Sequence, residues 1–433
     1  MNRNLLVLTI FLVLSQSHLE VLKAQSTFDF YPEPISYQLT PGNNAITHLQ
    51  RRLQTGEASL TFDPNRGYLD SLMRLLSIPA NTQALVYSKT SLQLRPISPN
   101  NPRALYYNDE VYLGWVPGGE KLELIVSDKS LGTVFYTLKQ VASDSPRFQR
   151  DRGECLQCHA NRRTQGVPGP LVRSLYTTSS GNPIYNFGNY LSDHSSPFRQ
   201  RWGGYYVTGL HGKMQHMGNL FVDRNEEIKA IDYSRGSNQS ELLRQVNRSA
   251  YPTNTSDIVA LMVLQHQTQM QNLLTKAIYE ERLADHYDKT FHLDVENGSD
   301  FSKRRIGNSV ESLLAYMFFV DEFPLSAKIQ GTSTFRRDFS NRKPATNSGK
   351  SLYQLDLESR MFKYPLSYMV YSNTFEQMGP KTRALFNNRI KQILNEKPTG
   401  NDEQIYRHLT PTLKTSIRDI LRETHPTLGP LFN

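Results

Sequence analysis

The sequence predicts an α+β protein built from a small antiparallel β region, an irregular Gly/Pro/aromatic-rich region and a mostly α-helical carboxyl-terminal half. Three observations carry this. Apolar residues recur with period two between Gln83 and Val141, regular periodicity disappears between Ser143 and Asn219, and a three-and-four recurrence takes over after Asp257.

The amino terminus comes first. "MNRNLLVLTIFLVLSQSHLEVLKAQS" places Arg3 before an apolar run from Leu5 to Leu14 that is too short to span a bilayer, with small residues near Ala24. Residues 1–24 therefore read as a removable signal peptide, and the expectation is an exported, periplasmic protein with no transmembrane segment after removal.

The β-rich region covers 25–142. A short helix is expected at "GYLDSLMRLLSIP", ended by Pro79. Strands are expected in "QALVYSKTSLQL", "EVYLGWV", "KLELIVSD" and "GTVFYTLKQV", separated by "SPNNP" and "PGGE". The region 143–235 is Gly-, Pro-, Arg- and aromatic-rich, and such long irregular stretches in compact proteins tend to be functional. Its end, "LFVDRNEEIKAIDYS", reads as a hairpin returning to the sheet.

The region 256–433 is helical. Ser256 and Asp257 open a long helix with a seam of Val259, Met262, His266, Met270, Leu273 and Ala277. A second helix is expected from Asn308, with Glu311 in a capping box. Others are expected over "PKTRALFNNRIKQIL" and, after Thr410 and Pro411, over "LTPTLKTSIRDILRET".

Composition narrows the function. The chain has 433 residues, a formal charge of +9 and two cysteines. An exported protein braced by disulfides has more cysteines, and a bridge between residues three apart closes too small a loop to stabilise much. The thiols are thus expected to serve chemistry. "TQGVPG" and "PGG" lack the Gly-Lys-Ser/Thr of a phosphate loop, and no stripe of basic and aromatic residues marks a nucleic-acid face.

Both thiols lie in "GECLQCHAN". Cys155-Leu-Gln-Cys158-His159 is the attachment signature of haem c. Two thiols one helical turn apart can add across the two vinyl groups on one porphyrin edge, and the next imidazole then becomes the proximal iron ligand. Two other readings compete. A thioredoxin-type Cys-x-x-Cys needs a strand and helix around it, whereas Arg- and Gly-rich sequence surrounds this one. A Cys2His2 zinc site would recruit His211 and His216 but leave His159 without a role.

Longer stretches add a resemblance. "NPRALYYNDEVYLGWV", "FYTLKQ", "RWGGYYVTGLHG", "HMGN" and "LDLESRMFKYPLSYMVYS" resemble segments of large, exported, single-haem bacterial proteins that carry a cytochrome c domain. The resemblance covers most of the chain after Asn101. It implies one covalently attached haem c on Cys155 and Cys158, with iron ligated by His159, and leaves the activity open.

The sixth iron ligand would decide that activity. "LHGKMQHMGN" follows the motif at a distance comparable to the distal loop of small cytochromes. It offers His216, His211, Met217 and Met214, with Gly212 and Gly218 allowing close approach. His266 on the helical seam and His194 in "LSDHSSP" are further candidates, each with a plain reading as a core or loop residue. His286 and His292 sit among charges. Arg147, Arg150, Arg152, Arg162 and Arg163 surround the motif and read either as propionate partners and a docking face for an acidic redox partner, or as a solvated rim. Arg201, Trp202, Tyr205 and Tyr206 read as porphyrin-edge packing or as loop core.

The expected function is electron transfer by an exported monohaem c-type cytochrome. The alternatives are a peroxidase- or oxidase-like oxidoreductase with an open distal position, and a haem-based redox or gas sensor.

Overall fold

The structure is a computed structural model and describes residues 29–395 and 399–433. The segment read as a signal peptide, 1–24, lies outside the described residues. Among those described, no helix is long and apolar enough to cross a membrane.

The class is α+β. In chain order come α1 (Ala45–Gln54), α2 (Leu69–Leu75), β1 (Ala84–Val86), β2 (Arg103–Tyr107), β3 (Val111–Trp115), β4 (Lys121–Asp128), β5 (Gly132–Lys139), β6 (Phe148–Arg150) and the single turn α3 (Leu156–His159). β7 (Arg173–Leu175), β8 (Asn189–Leu191) and β9 (Gly209–Leu210) follow, then α4 (Ile258–Thr290), α5 (Asp300–Met317), β10 (Gln330–Gly331) and α6 (Phe335–Ser340). The chain closes with α7 (Asn373–Glu376), α8 (Pro380–Asn395), α9 (Asn401–Ile405) and α10 (Pro411–Thr424).

Strands β1 to β6 form one antiparallel meander in sequence order, as period-two alternation requires. Its two faces differ. Ala104, Tyr106, Leu113, Trp115, Leu122, Leu124, Val126, Tyr136 and Leu138 point to one side and are all buried. The opposite face carries a row, Leu105, Gly114, Glu123 and Thr137, in direct cross-strand register. The three side-chain-bearing residues of that row are only half-buried. The next row, Tyr107, Tyr112, Ile125 and Phe135, runs under α4.

Helix α4 is the axis of the molecule. Asp257 caps it, its Oδ1 accepting from the Val259 N–H at 2.7 Å and the Ala260 N–H at 3.4 Å. The expected seam is buried, and so is much of the remaining surface, including Gln265, Gln267, Gln271 and Asn272. These amides are tolerated in the interior because they meet polar partners. Gln267 donates to the Asn108 carbonyl at 2.8 Å, and Asn272 to the Pro170 carbonyl at 2.9 Å. One hydrophobic cluster runs from Phe30 to Leu428 and joins the sheet, α4 and the carboxyl-terminal helices. The three regions read from sequence share that core.

Two expectations are corrected. "LFVDRNEEIKAIDYS" forms 3-10 turns at Ile228–Ala230 and Tyr233–Gly236 instead of a hairpin. Asp223 and Asp232 each accept from the backbone N–H two residues on, at 2.8 and 2.9 Å, which commits the chain to turns. Leu220, Val222, Ile231 and Tyr233 pack instead with Tyr176, Ile184 and Met217 in a small satellite cluster. The helix expected from Asn308 begins at Asp300, capped by the Ser299 hydroxyl, and Gly307 is carried inside it where its side has open space. The Asn44-capped α1 is an additional helix that the sequence reading missed.

Candidate functional site

The motif folds as one helical turn between β6 and an Asn161-capped 3-10 turn. The amides of Cys158 and His159 both donate to the Cys155 carbonyl, at 3.2 and 3.0 Å. This winds the two thiols onto one side of a turn and sets His159 beside them. Both cysteines are free, Cys155 half-buried and Cys158 exposed. Burial raises the Cys155 thiol well above its ordinary pKa, and the neighbouring Asp151 carboxylate pushes it further. That is opposite to the lowered thiol of a thioredoxin-type site.

The His159 ring is oriented by its second nitrogen. Nδ1 donates to the Gly169 carbonyl at 2.9 Å. A carbonyl only accepts, so Nδ1 carries the hydrogen. Burial holds the ring pKa below its ordinary value, so the imidazole is neutral and Nε2 keeps its lone pair. An imidazole tied in this way is the usual arrangement of an iron- or zinc-ligating histidine. The Phe135 ring packs on it at 5.3 Å between centroids.

Cys155, Cys158 and His159 form one wall of a cleft of about 370 Å³, a size typical of cofactor sites. Its floor is the half-buried sheet row Leu105, Gly114 and Glu123, together with Ile125. Leu264 and Thr268 of α4, Pro170 to Arg173 and Tyr205 supply the other sides. At Gly114 the floor is flat, and a Cβ there would meet only Leu105 and Glu123 at 3.5–3.6 Å. The rim is apolar and open to solvent: Leu92 is 57% exposed, Leu94 50% and Tyr185 57%. Large exposed apolar side chains gathered around a cleft mark a ligand surface.

The cleft has cations that the sequence reading did not single out. Arg103 bonds Glu123 at 3.0 Å, and Glu123 is also held by the Ser91 hydroxyl at 2.8 Å. Arg173 donates to Asn189 at 2.8 Å and lies over the Tyr185 ring at 5.2 Å. Lys89 lines the cleft as well. Among the described residues neither Arg173 nor Lys89 pairs with a carboxylate.

The arginines flagged around the motif divide. Arg150 is spent on structure, donating to the Thr40 carbonyl at 2.7 Å and to the Tyr37 carbonyl. Arg163 lines the polar end of the cleft, while Arg147, Arg152 and Arg162 are exposed.

The expected distal loop lies elsewhere. His211, His216, Met214 and Met217 are buried, and none of them lines the cleft. His211 accepts from the Asn238 amide at 3.0 Å and packs against His216 with ring centroids 4.7 Å apart. Phe198 and Trp202 flank the two rings. The alternation of β7 explains Met217. Arg173 faces the cleft, and the adjacent Ser174 turns away to donate to the Met217 sulfur at 3.7 Å. The Cys2His2 zinc set is likewise unassembled, since among the described residues no cluster of three or more His, Cys, Asp or Glu is placed to hold a metal ion.

His266 and His194 meet in the core, Nδ1 to Nδ1 at 2.9 Å. His266 also bonds the Ser367 hydroxyl at 2.8 Å. Arg201 is buried and donates to the carbonyls of His194 and Ser196, both at 2.9 Å. Trp202 bonds Gln265 at 3.0 Å. Both belong to the loop core, and of the residues read as porphyrin-edge packing only Tyr205 reaches the cleft. His286 and His292 do not line it either. No family model matches the chain, and neither curated proteins nor solved structures provide a match.

Proposed function

We propose that the chain is an exported monohaem c-type cytochrome that carries electrons through one covalent haem c. The observation that carries this reading is the wall formed by Cys155, Cys158 and His159 along an apolar, solvent-open cleft, with His159 Nδ1 committed to Gly169 and Nε2 left as a ligand atom. Haem c bound there supplies a one-electron ferric/ferrous couple.

The chain's own residues then have distinct tasks. Cys155 and Cys158 would hold the macrocycle through thioethers, and Nε2 of His159 would ligate the iron. Arg173 and Lys89, unpaired cations among the described residues that line the cleft, suit the two propionates. Leu105, Ile125 and Leu264 would present apolar surface to the ring faces, which tunes the potential. Cys158, exposed at the surface, leaves an edge for exchange with a redox partner protein. Segment 1–24 supports an exported, periplasmic location, where thioether attachment usually takes place.

The test is covalent haem itself. The protein made with haem-attachment machinery should keep haem staining after denaturation, and Cys155→Ser with Cys158→Ser should abolish it. Staining that survives the double substitution would overturn the reading.

A further inference from the structure

On the haem reading just proposed, the group facing the iron opposite His159 decides whether the site only passes electrons. The described residues lining the cleft contain one imidazole, His159, and no methionine. The other candidates are held in place elsewhere: His211 by Asn238, Met217 by Ser174, and His266 by His194 and Ser367.

The cleft does contain a fixed donor. Arg103 extends along the half-buried sheet face, and its Nη1 donates to Glu123 at 3.0 Å. Glu123 is anchored in turn by Ser91 at 2.8 Å and Gln93 at 3.4 Å. The Nε of Arg103 is buried and has no hydrogen-bond partner, although Arg103 lines both the apolar and the polar part of the cleft. A desolvated N–H without an acceptor is costly. Here the acceptor is missing from an otherwise well-anchored pair.

We infer that Arg103, positioned by Glu123, would donate a hydrogen bond to a small exogenous ligand of the carbon monoxide, nitric oxide or cyanide class taken up by a haem held in this cleft. The guanidinium, always charged, favours an anionic or polarised ligand at this point.

Carbon monoxide and cyanide are the probes. The reduced protein should bind carbon monoxide with a shift of the Soret band, and His216→Ala and Met217→Ala should leave the ligand-free spectrum unchanged. Arg103→Leu should raise the C–O stretching frequency and weaken cyanide binding about tenfold, the effect of one hydrogen bond. Arg103→Lys should recover part of both, and Glu123→Gln, which leaves the donor but loosens it, should shift them in the same direction as Arg103→Leu by less. Denaturing haem stain is read on every sample. Covalent haem in a low-spin protein that refuses both probes overturns this inference and leaves the cytochrome reading intact, whereas failure of the wild-type protein to stain overturns both. An unchanged C–O stretch in Arg103→Leu and Glu123→Gln alike overturns the role of Arg103.

Discussion

Nδ1 of His159 and the carbonyl of Gly169, ten residues apart, meet at 2.9 Å because the segment after the motif turns back on it. That turn is held from outside by α4. The Asn272 amide donates to the Pro170 carbonyl at 2.9 Å, and a Cβ built on Gly169 would come within 1.9 Å of Asn272 Oδ1. The long helix thereby sets the carbonyl that sets the imidazole.

Gly169→Ala should therefore act on the motif without touching it. The added methyl must displace either Asn272 on a rigid helix or the 169–170 backbone, an overpacking cost of roughly 1–3 kcal/mol. Urea unfolding should show that loss, and Asn272→Ala in the same chain should return part of it. A Gly169→Ala protein as stable as the parent would remove α4 from this role.

Asp257 joins two parts of the chain. Its Oδ1 caps α4, while Oδ2 accepts from the amides of Thr332 and Ser333 at 2.8 and 2.7 Å and from the Ser333 hydroxyl at 2.7 Å. Asp257→Ala removes a cap worth about 1 kcal/mol and strands buried donors at about 1–3 kcal/mol. The expected destabilisation is roughly 2–4 kcal/mol, with Asp257→Asn intermediate. A chemical denaturation midpoint within error of the parent would refute it.

The buried His194–His266 pair makes stability depend on pH. Burial, assisted by Arg201, lowers His194 to about 3. Burial and then His194 hold His266 well below its ordinary value. The unfolded chain binds protons at these sites below about pH 6.5 while the folded one does not, so stability is full above that pH and falls as pH drops toward 3. Each site contributes up to about 1.4 kcal/mol per pH unit in that window. His194→Phe keeps the stacking on Tyr316 and should flatten the slope between pH 6.5 and 5 by up to one proton. An unchanged slope would show that the pair does not titrate on unfolding.

Legibility from sequence followed the range of the interactions. Strands β3 to β5, the Asp257 cap of α4 and the Thr410–Pro411 start of α10 are local patterns, and each could be read directly, whereas β2 was not read as a strand. The start of α5 was misplaced because Ser299 lies upstream of a polar, Gly-containing turn that shows no apolar periodicity. The motif was legible for the same local reason, but its cleft was not. Arg103, Leu105 and Glu123 lie far from Cys155 in sequence and reach it only through the meander. A signal was present in "RALYY" and "KLELIV", where one strand face mixes charge with Leu and Ile, too apolar for solvent and too polar for core. His211, His216 and Met217 misled because a Gly-rich loop with ligand-type side chains looks the same whether it faces a cofactor or its own core.

The exposed arginines beside the motif make the docking surface testable by salt. Arg147, Arg152 and Arg162 are exposed and lie 11, 6 and 4 residues from Cys158 in the sequence. Charges so placed steer encounter more than they add affinity, and their effect is screened over a Debye length of about 8 Å at physiological ionic strength. Reduction by an acidic donor protein should slow as salt is raised, while reduction by a neutral small-molecule donor should not. Replacing the three arginines by Gln should lower the low-salt rate with the acidic donor and reduce its salt dependence, with covalent haem staining unchanged because none of the three lines the cleft. Equal salt dependence for the parent and the triple variant would place the docking face elsewhere on the molecule.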